Sequence, residues 1–281
     1  MSSVVFLAVI GAAILHAAWN ALVKGGQDKT VAMGAVILGH LPLAIVIIPF
    51  VPLPASESLG YLAAGTALHF GYQLFLLNSY RLGDLTQVYP IARGVAPLIV
   101  ALVSVAVLGV ALSGVEKLAV GIIAIGIISL GLVRRHDGQR NPAAVLLALG
   151  TGGFIASYSL VDGLGARIAG TSLGYYAWLS VFNCAAMAIY LAWRAPGALR
   201  EIPRSGRLSL TLGGGASFLA YSLVIWAFTQ APIALVTALR ETSIIFALLI
   251  GAVFLRERID LVKVFSTAAT LTGAVLLRFA R

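Results

Sequence analysis

Two arginines, a glutamate and an aspartate sit inside, or at the edge of, segments that a bilayer would fill with hydrocarbon. Arg93 lies in LTQVYPIARGVAPLIVALVSVAVLG, Arg240 and Glu241 lie together in APIALVTALRETSIIFALLIGAVFL, and Asp162 stands near the end of a third apolar run. A charge at a helix centre costs roughly 2.5–3.5 kcal/mol on insertion scales, so charged groups there are retained for function by default. Two readings fit the pair in the second segment. In one, Arg240 is an anion clamp and Glu241 a proton or counter-charge site. In the other the charges are structural, with Glu241 paired to Arg93. Adjacent helix residues point about 100° apart, so Arg240 and Glu241 need not pair with each other.

Helical spacing then picks out polar stripes. Thr86, Tyr89, Arg93, Pro97 and Ser104 share one face. Pro97 has no N–H for the Arg93 carbonyl, and Pro90 none for that of Thr86. This predicts a kinked helix with spare carbonyls beside a guanidinium; the plainer reading is a packing kink with Arg93 snorkelling to the interface. His16 and Asn20 are four apart with Trp19 adjacent. His69, Tyr72, Gln73 and Tyr80 fall along another helix, Tyr158 and Asp162 along a third, and Ser217 and Tyr221 along a fourth. Each such pair can also be a satisfied interhelical hydrogen bond, worth about 0.6 kcal/mol in a membrane. The candidate substrate-binding set is Arg93, Arg240, Glu241, Tyr89, His16, Trp19, Asn20, His69, Gln73, Tyr158 and Tyr221. His40 reads as structural, Asp162 as close enough to a helix end to reach water, and Tyr175, Tyr176 and Trp178 as an interfacial aromatic belt.

The elements that carry these groups follow from composition. The 281 residues are 60% hydrophobic and 10% charged, with a mean hydropathy of +1.00. A soluble domain carries about 25% charged residues. Apolar runs of about 20 residues recur, the length that crosses a hydrocarbon core as a helix. Ten spans are expected: 3–23, 30–52, 58–80, 85–109, 113–133, 142–163, 171–193, 207–229, 232–254 and 258–279. The first lacks a basic start and a small-residue cleavage site, so it reads as retained. Loops are expected at 24–29, 51–58, 134–141 and 194–207. The fold class is therefore all-α membrane protein.

The linker RRHDGQRN (134–141) divides the spans into two sets of five, 1–133 and 142–281. Sliding one half by 147 positions aligns Arg93 with Arg240, Leu102 with Leu249, Leu108 with Leu255, Val115 with Val262, Gly126 with Gly273 and Leu130 with Leu277. Only the arginine match involves a residue rare in membranes. An odd number of spans per half would invert the halves, giving two inverted five-helix repeats with a site near the midplane. Arg93 and Arg240 would then enter from opposite faces and flank the midplane rather than touch.

LRERIDLVKVFSTAATLTGAVLL, after the ninth span, resembles the short "GER" turn and closing helix of the drug/metabolite transporter superfamily, EamA type. The opening LHAAWNALVK is similar to that family's first helix. Two departures stand out: Arg256 replaces the usual Gly of the turn, and Val110 stands in the first half where Glu257 stands in the second. The resemblance implies a secondary transporter with a central cavity lined by both halves, including His16 and Asn20, and fixes no substrate.

Enzyme signatures are absent from the sequence: no GxSxG, HExxH, CxxC or phosphate loop occurs, and Gly213-Gly214-Gly215 follows no strand. The single Cys184 cannot make an internal disulfide or a zinc cluster. No cofactor is expected. The formal charge of +9 belongs to loops and speaks to topology and anionic headgroups rather than nucleic acid. The odd-numbered loops and their flanks hold 13 of the 19 Lys and Arg residues, which places the termini outside; the family resemblance implies cytoplasmic termini. The expected partners are the lipid bilayer, a small-molecule substrate and a proton or exchanged substrate, in a monomer or homodimer. The expected location is a bacterial cytoplasmic membrane. The expected substrate is a small polar metabolite with a negative group; the alternative is an amino acid or related amphiphile.

Overall fold

The computed structural model describes residues 2–106, 113–132, 141–231, 233–257 and 261–279, and every regular element among them is helical. In chain order these are α1 (Ser3–Gly25), α2 (Lys29–Leu38), α3 (His40–Ile47), α4 (Leu59–Leu82), α5 (Leu85–Ala106), α6 (Gly114–Leu132), α7 (Pro142–Ile168), α8 (Ser172–Arg194), α9 (Pro196–Ser205), α10 (Gly214–Gln230), α11 (Ile233–Arg240), α12 (Ser243–Val253) and α13 (Leu261–Phe279). Among the described residues, five helical stretches are long and apolar enough to cross a membrane: Ser3–Gly25, Lys29–Phe50, Pro142–Ile168, Ser172–Arg194 and Ser209–Gln230. Large apolar side chains such as Leu7, Val46, Leu146, Ile189 and Phe265 face outward, while Asp162, Arg240 and Glu241 are fully buried. That inversion of the soluble pattern is what a hydrocarbon solvent selects.

Polar groups at the helix ends set where the helices begin and stop. Ser2, Asp28, Asn141 and Thr171 accept backbone N–H bonds at the starts of α1, α2, α7 and α8, each worth about 1 kcal/mol. Cations close the other ends. Lys24 Nζ donates to the Tyr80 and Gly83 carbonyls that finish α4. Arg167 donates through Nε and Nη2 to the Phe228 and Ala231 carbonyls that finish α10. Cations are favoured at these negative ends of the helix dipole. Glu257 does the converse. Its two carboxylate oxygens accept from Leu85 N at 2.8 Å and Thr86 N at 2.9 Å, capping α5 from the turn before α13.

The packing repeats itself. α4 lies against α7 and α10 lies against α1; α5 lies against α7 and α12 against α1; α3 meets α8 and α6 meets α13. At the α6–α13 crossing, a Cβ on Gly126 would sit 2.9 Å from the Ser266 carbonyl oxygen and 3.0 Å from Thr270 N. A Cβ on Gly273 would sit 2.9 Å from the Ala119 carbonyl oxygen and 3.0 Å from Ile123 N. The two contact sets exchange under an offset of 147, which relates Gly126 to Gly273, Ala119 to Ser266 and Ile123 to Thr270. Cys184 Sγ–H, buried, donates to the carbonyl of Ile37, also 147 residues away.

Several expectations need correction. The stretch 194–207, expected as loop, contains the amphipathic helix α9, which buries Ala198 and Ile202 one turn apart. α5 runs unbroken through Pro90 and Pro97. The break falls instead between α11 and α12, at Glu241-Thr242, where Thr242 donates to the Leu239 carbonyl through both N–H and Oγ1. A second break separates α2 from α3 at Gly39. Tyr175 and Tyr176 are buried rather than interfacial. Leu108 and Val110, most of the linker, and the side chains of Pro97, Leu102, Ser104, Leu130 and Leu277 lie outside the described residues.

Arg256, at the position where the resembled turn carries Gly, has φ = +53°. That left-handed backbone costs a residue with a Cβ roughly 1–2 kcal/mol. Arg256→Gly is expected to raise stability by about 1 kcal/mol, read as a higher midpoint in chemical or thermal unfolding of the detergent-solubilised protein.

Candidate functional site

The break after α11 builds the centre of the site. With α11 ending at Arg240, its carbonyl is free of the helical ladder and accepts from Arg93 Nη2 of α5 at 2.7 Å. Arg93 Nε lies 3.5 Å from Glu241 Oε2. Arg240 Nη1 donates to Ser159 Oγ of α7 at 3.2 Å, and its guanidinium lies over the Tyr221 ring, 5.5 Å from the centroid. Arg93 sits 6.0 Å from the Tyr89 centroid. The two arginines therefore meet through a side chain–backbone bond instead of standing apart across the midplane.

The cluster is under-satisfied. Among the described residues, Arg93 Nε, Arg240 Nε and Nη2, and both Glu241 carboxylate oxygens find no hydrogen-bond partner although all are buried. Among the described residues no carboxylate lies within 4 Å of Arg240. A buried cation without a counter-ion is costly, and its spare donors suit an anion. Arg240 thus keeps two donor nitrogens that the residues around it do not use.

Beside this cluster lies a small cavity lined by His16 and Asn20 of α1, Tyr72 and Leu76 of α4, Tyr89, Ala92 and Arg93 of α5, and Thr151, Ile155 and Tyr158 of α7. Its volume of about 10 Å³ is room for roughly one water, so a metabolite requires the helices to part. His16 Nδ1 accepts from Trp19 Nε1 at 3.1 Å. That bond puts the ring proton of a neutral imidazole on Nε2, which is buried and, among the described residues, without a hydrogen-bond partner. Asn20 is fixed by its bonds to the His16 carbonyl and Tyr80 OH.

Of the candidate residues, the structure puts His16, Asn20, Tyr89, Arg93 and Tyr158 on the cavity wall, with Arg240 and Glu241 directly behind Arg93. Trp19 orients His16. Gln73 turns away and donates to Asn183 Oδ1 of α8 at 3.2 Å. His69 and Tyr221 both bond Asp162, and His69 stacks on Tyr158 with centroids 4.2 Å apart. Asp162 itself is fully buried, not close to water, because α7 continues six residues beyond it to Ile168. Thr151 and Ile155 were not picked out from sequence. They stand at i, i+4 with Tyr158 and Asp162 at i+7 and i+11, a stripe that a search confined to polar pairs overlooks. Ser159 and Tyr175 gave no signal of their own.

Comparison with known proteins follows the same lines. The EamA-like transporter family model matches residues 142–279. Among solved structures, the crystal structure of a protein 16% identical to this chain superposes with a TM-score of 0.62, covering 98% of this chain and 96% of that one; this likeness is one of fold. Among curated proteins nothing matches.

Proposed function

We propose, from the premise that this chain belongs to the EamA-like transporter family through its second half, that it carries a small anionic metabolite across the membrane by alternating access. The family is one of membrane transporters for small molecules rather than of enzymes, and the chain is accordingly a multi-pass membrane protein. The finer reading rests chiefly on one observation: Arg240 is fully buried and, among the described residues, has two nitrogens without hydrogen-bond partners and no carboxylate within 4 Å. A buried arginine of this kind is stabilised when an anion arrives, and its planar donors suit a phosphate, phosphonate or carboxylate. His16 Nε2 and Arg93 would complete the cradle, with Tyr89, Asn20 and Tyr158 shaping it.

The architecture of this reading is ten membrane spans in two inverted halves, 1–133 and 142–281, joined by 134–141. The paired contacts at Gly126 and Gly273, and the paired cation caps of Lys24 and Arg167, support it. In an inverted repeat the site lies where the halves meet, and Arg93 of one half touches Arg240 of the other. A bacterial cytoplasmic membrane is the setting proposed.

The alternative is export of amino acids or related amphiphiles. Glu241 favours it, since its unbonded carboxylate could take an ammonium while an arginine takes the carboxylate. Thermal stabilisation of the purified protein separates the two, because a ligand raises the melting temperature by mass action. Across a panel of sugar phosphates, phosphonates, carboxylates and amino acids, the expected hits are phosphates or phosphonates, lost in Arg240→Ala. Hits confined to zwitterionic amino acids, lost in Glu241→Gln, would replace the anion reading with the alternative.

A further inference from the structure

We propose that His69 and Asp162 form a proton-binding site that fills and empties in step with the anion site, so that anion movement is coupled to proton movement. This rests on the carrier reading above. Asp162 is fully buried where four helices cross. Its Oδ2 accepts from His69 Nε2 of α4 at 2.7 Å and from Tyr221 OH of α10 at 2.7 Å. Its Oδ1 accepts from Tyr175 OH of α8 at 3.4 Å. Gly65 leaves room for that oxygen, since a Cβ there would lie 2.5 Å from it.

An ionised carboxylate only accepts, so Nε2 carries the proton of the neutral ring and Nδ1 is the atom that takes an added one. The proton comes from water on the side to which the cavity is open and leaves to the other side; no other bond is made or broken. The titratable groups around the ring are Tyr72 of α4, Tyr158 and Asp162 of α7, Tyr175 of α8 and Tyr221 of α10, with His16 of α1 and His40 of α3 near enough to interact. Arg93 of α5 and Arg240 of α11 are the fixed cations beyond them. His16 already uses Nδ1 to accept from Trp19, and His40 is packed against Tyr176 and Phe218. His69 keeps 12% of its side chain exposed and stacks on a cavity residue, so a proton can reach it.

Tyr221 joins the two sites. Its hydroxyl bonds Asp162, and its ring lies 5.5 Å from the Arg240 guanidinium and 5.0 Å from the His69 ring. Arg240 is therefore at most about 10.5 Å from His69. With His69 neutral, the cations Arg93 and Arg240 are matched by the anions Glu241 and Asp162. A bound anion would leave the interior negative, which a membrane interior disfavours. A proton on His69 offsets one unit of that charge.

The test uses the full chain in lipid nanodiscs, ¹⁵N-labelled at its four histidines, with His69→Gln as the assignment control. As the pH is lowered, the His69 ring nitrogens are expected to move reversibly from neutral to imidazolium. Removing the Arg240 charge imitates anion binding. In Arg240→Gln the midpoint should rise by about one pH unit, the size set by one charge about 10 Å away at an effective dielectric near 20. Arg240→Met, of similar bulk, serves if the glutamine variant does not fold. A His69 ring that keeps one charge state throughout, or a midpoint indifferent to Arg240, overturns the proposal. The titration needs no substrate, so its failure leaves the anion reading standing, and an empty ligand panel leaves the titration standing.

Discussion

Arg240→Ala is expected to reduce transport by about 100-fold or more while the protein still inserts and unfolds within a few degrees of the parent. The two halves of that result have separate causes. A charge-assisted contact to a buried anion is worth up to about 3 kcal/mol, and 1.4 kcal/mol is a factor of ten. Among the described residues, by contrast, Arg240 makes one side-chain bond, to Ser159, and no ion pair. Removing an unpaired buried cation relieves a desolvation cost, so stability has little to lose. Arg93→Ala should look different. Arg93 is the cation next to Glu241 and also bonds the Arg240 carbonyl. Its loss leaves Glu241 buried without that partner and should cost about 3 kcal/mol of stability together with transport. Uptake by vesicles containing each variant, alongside its melting temperature in detergent, reads both quantities.

Gly39→Ala is expected to be the most damaging small substitution, lowering stability by about 3 kcal/mol and cutting the yield of folded protein. Gly39 stands at the junction of α2 and α3, pressed against the turn that leads into α10. An added Cβ would overlap the Leu210 carbonyl oxygen and come within 3.0 Å of the Gly214 Cα. Both are main-chain atoms, so no side-chain rotamer can make room. Overpacking of this kind typically costs 1–3 kcal/mol and more where nothing can give. Gly60→Ala, with open space around its Cβ, is the control and should match the parent. Size-exclusion profiles and thermal melts of the two variants make the comparison.

Hydropathy made the helical membrane class legible, because bilayer thickness sets the length of each apolar run. The offset of 147 residues was legible only through Arg93 and Arg240. The structure adds the Gly126 and Gly273 contacts at the same offset, which leucine-rich sequence could not distinguish from chance. The cation caps stayed hidden for a definite reason. Lys24 and Arg167 are 143 residues apart, while the carbonyls they cap are 148 apart, so loop length differences take them out of any ungapped alignment. The break at Glu241-Thr242 carries no Pro or Gly to announce it. It arises from Thr242 bonding back to Leu239, a local option that threonine has in many unbroken helices. At Pro90 and Pro97, where a kink is expected, α5 remains one continuous helix from Leu85 to Ala106. Asp162 was misplaced by the assumption that α7 ends soon after it. Arg256 was legible as a departure from a glycine position, and its positive φ supplies the physical reason for that glycine.

The most direct measurement is uptake of the panel's best stabilising phosphate or phosphonate, radiolabelled, into liposomes reconstituted with the parent protein and with Arg240→Ala. Saturable uptake by the parent, competed by other small phosphates and absent in Arg240→Ala, is the predicted result. Equal uptake by both proteins would contradict the account at its centre, since Arg240 would then have no part in carrying an anion.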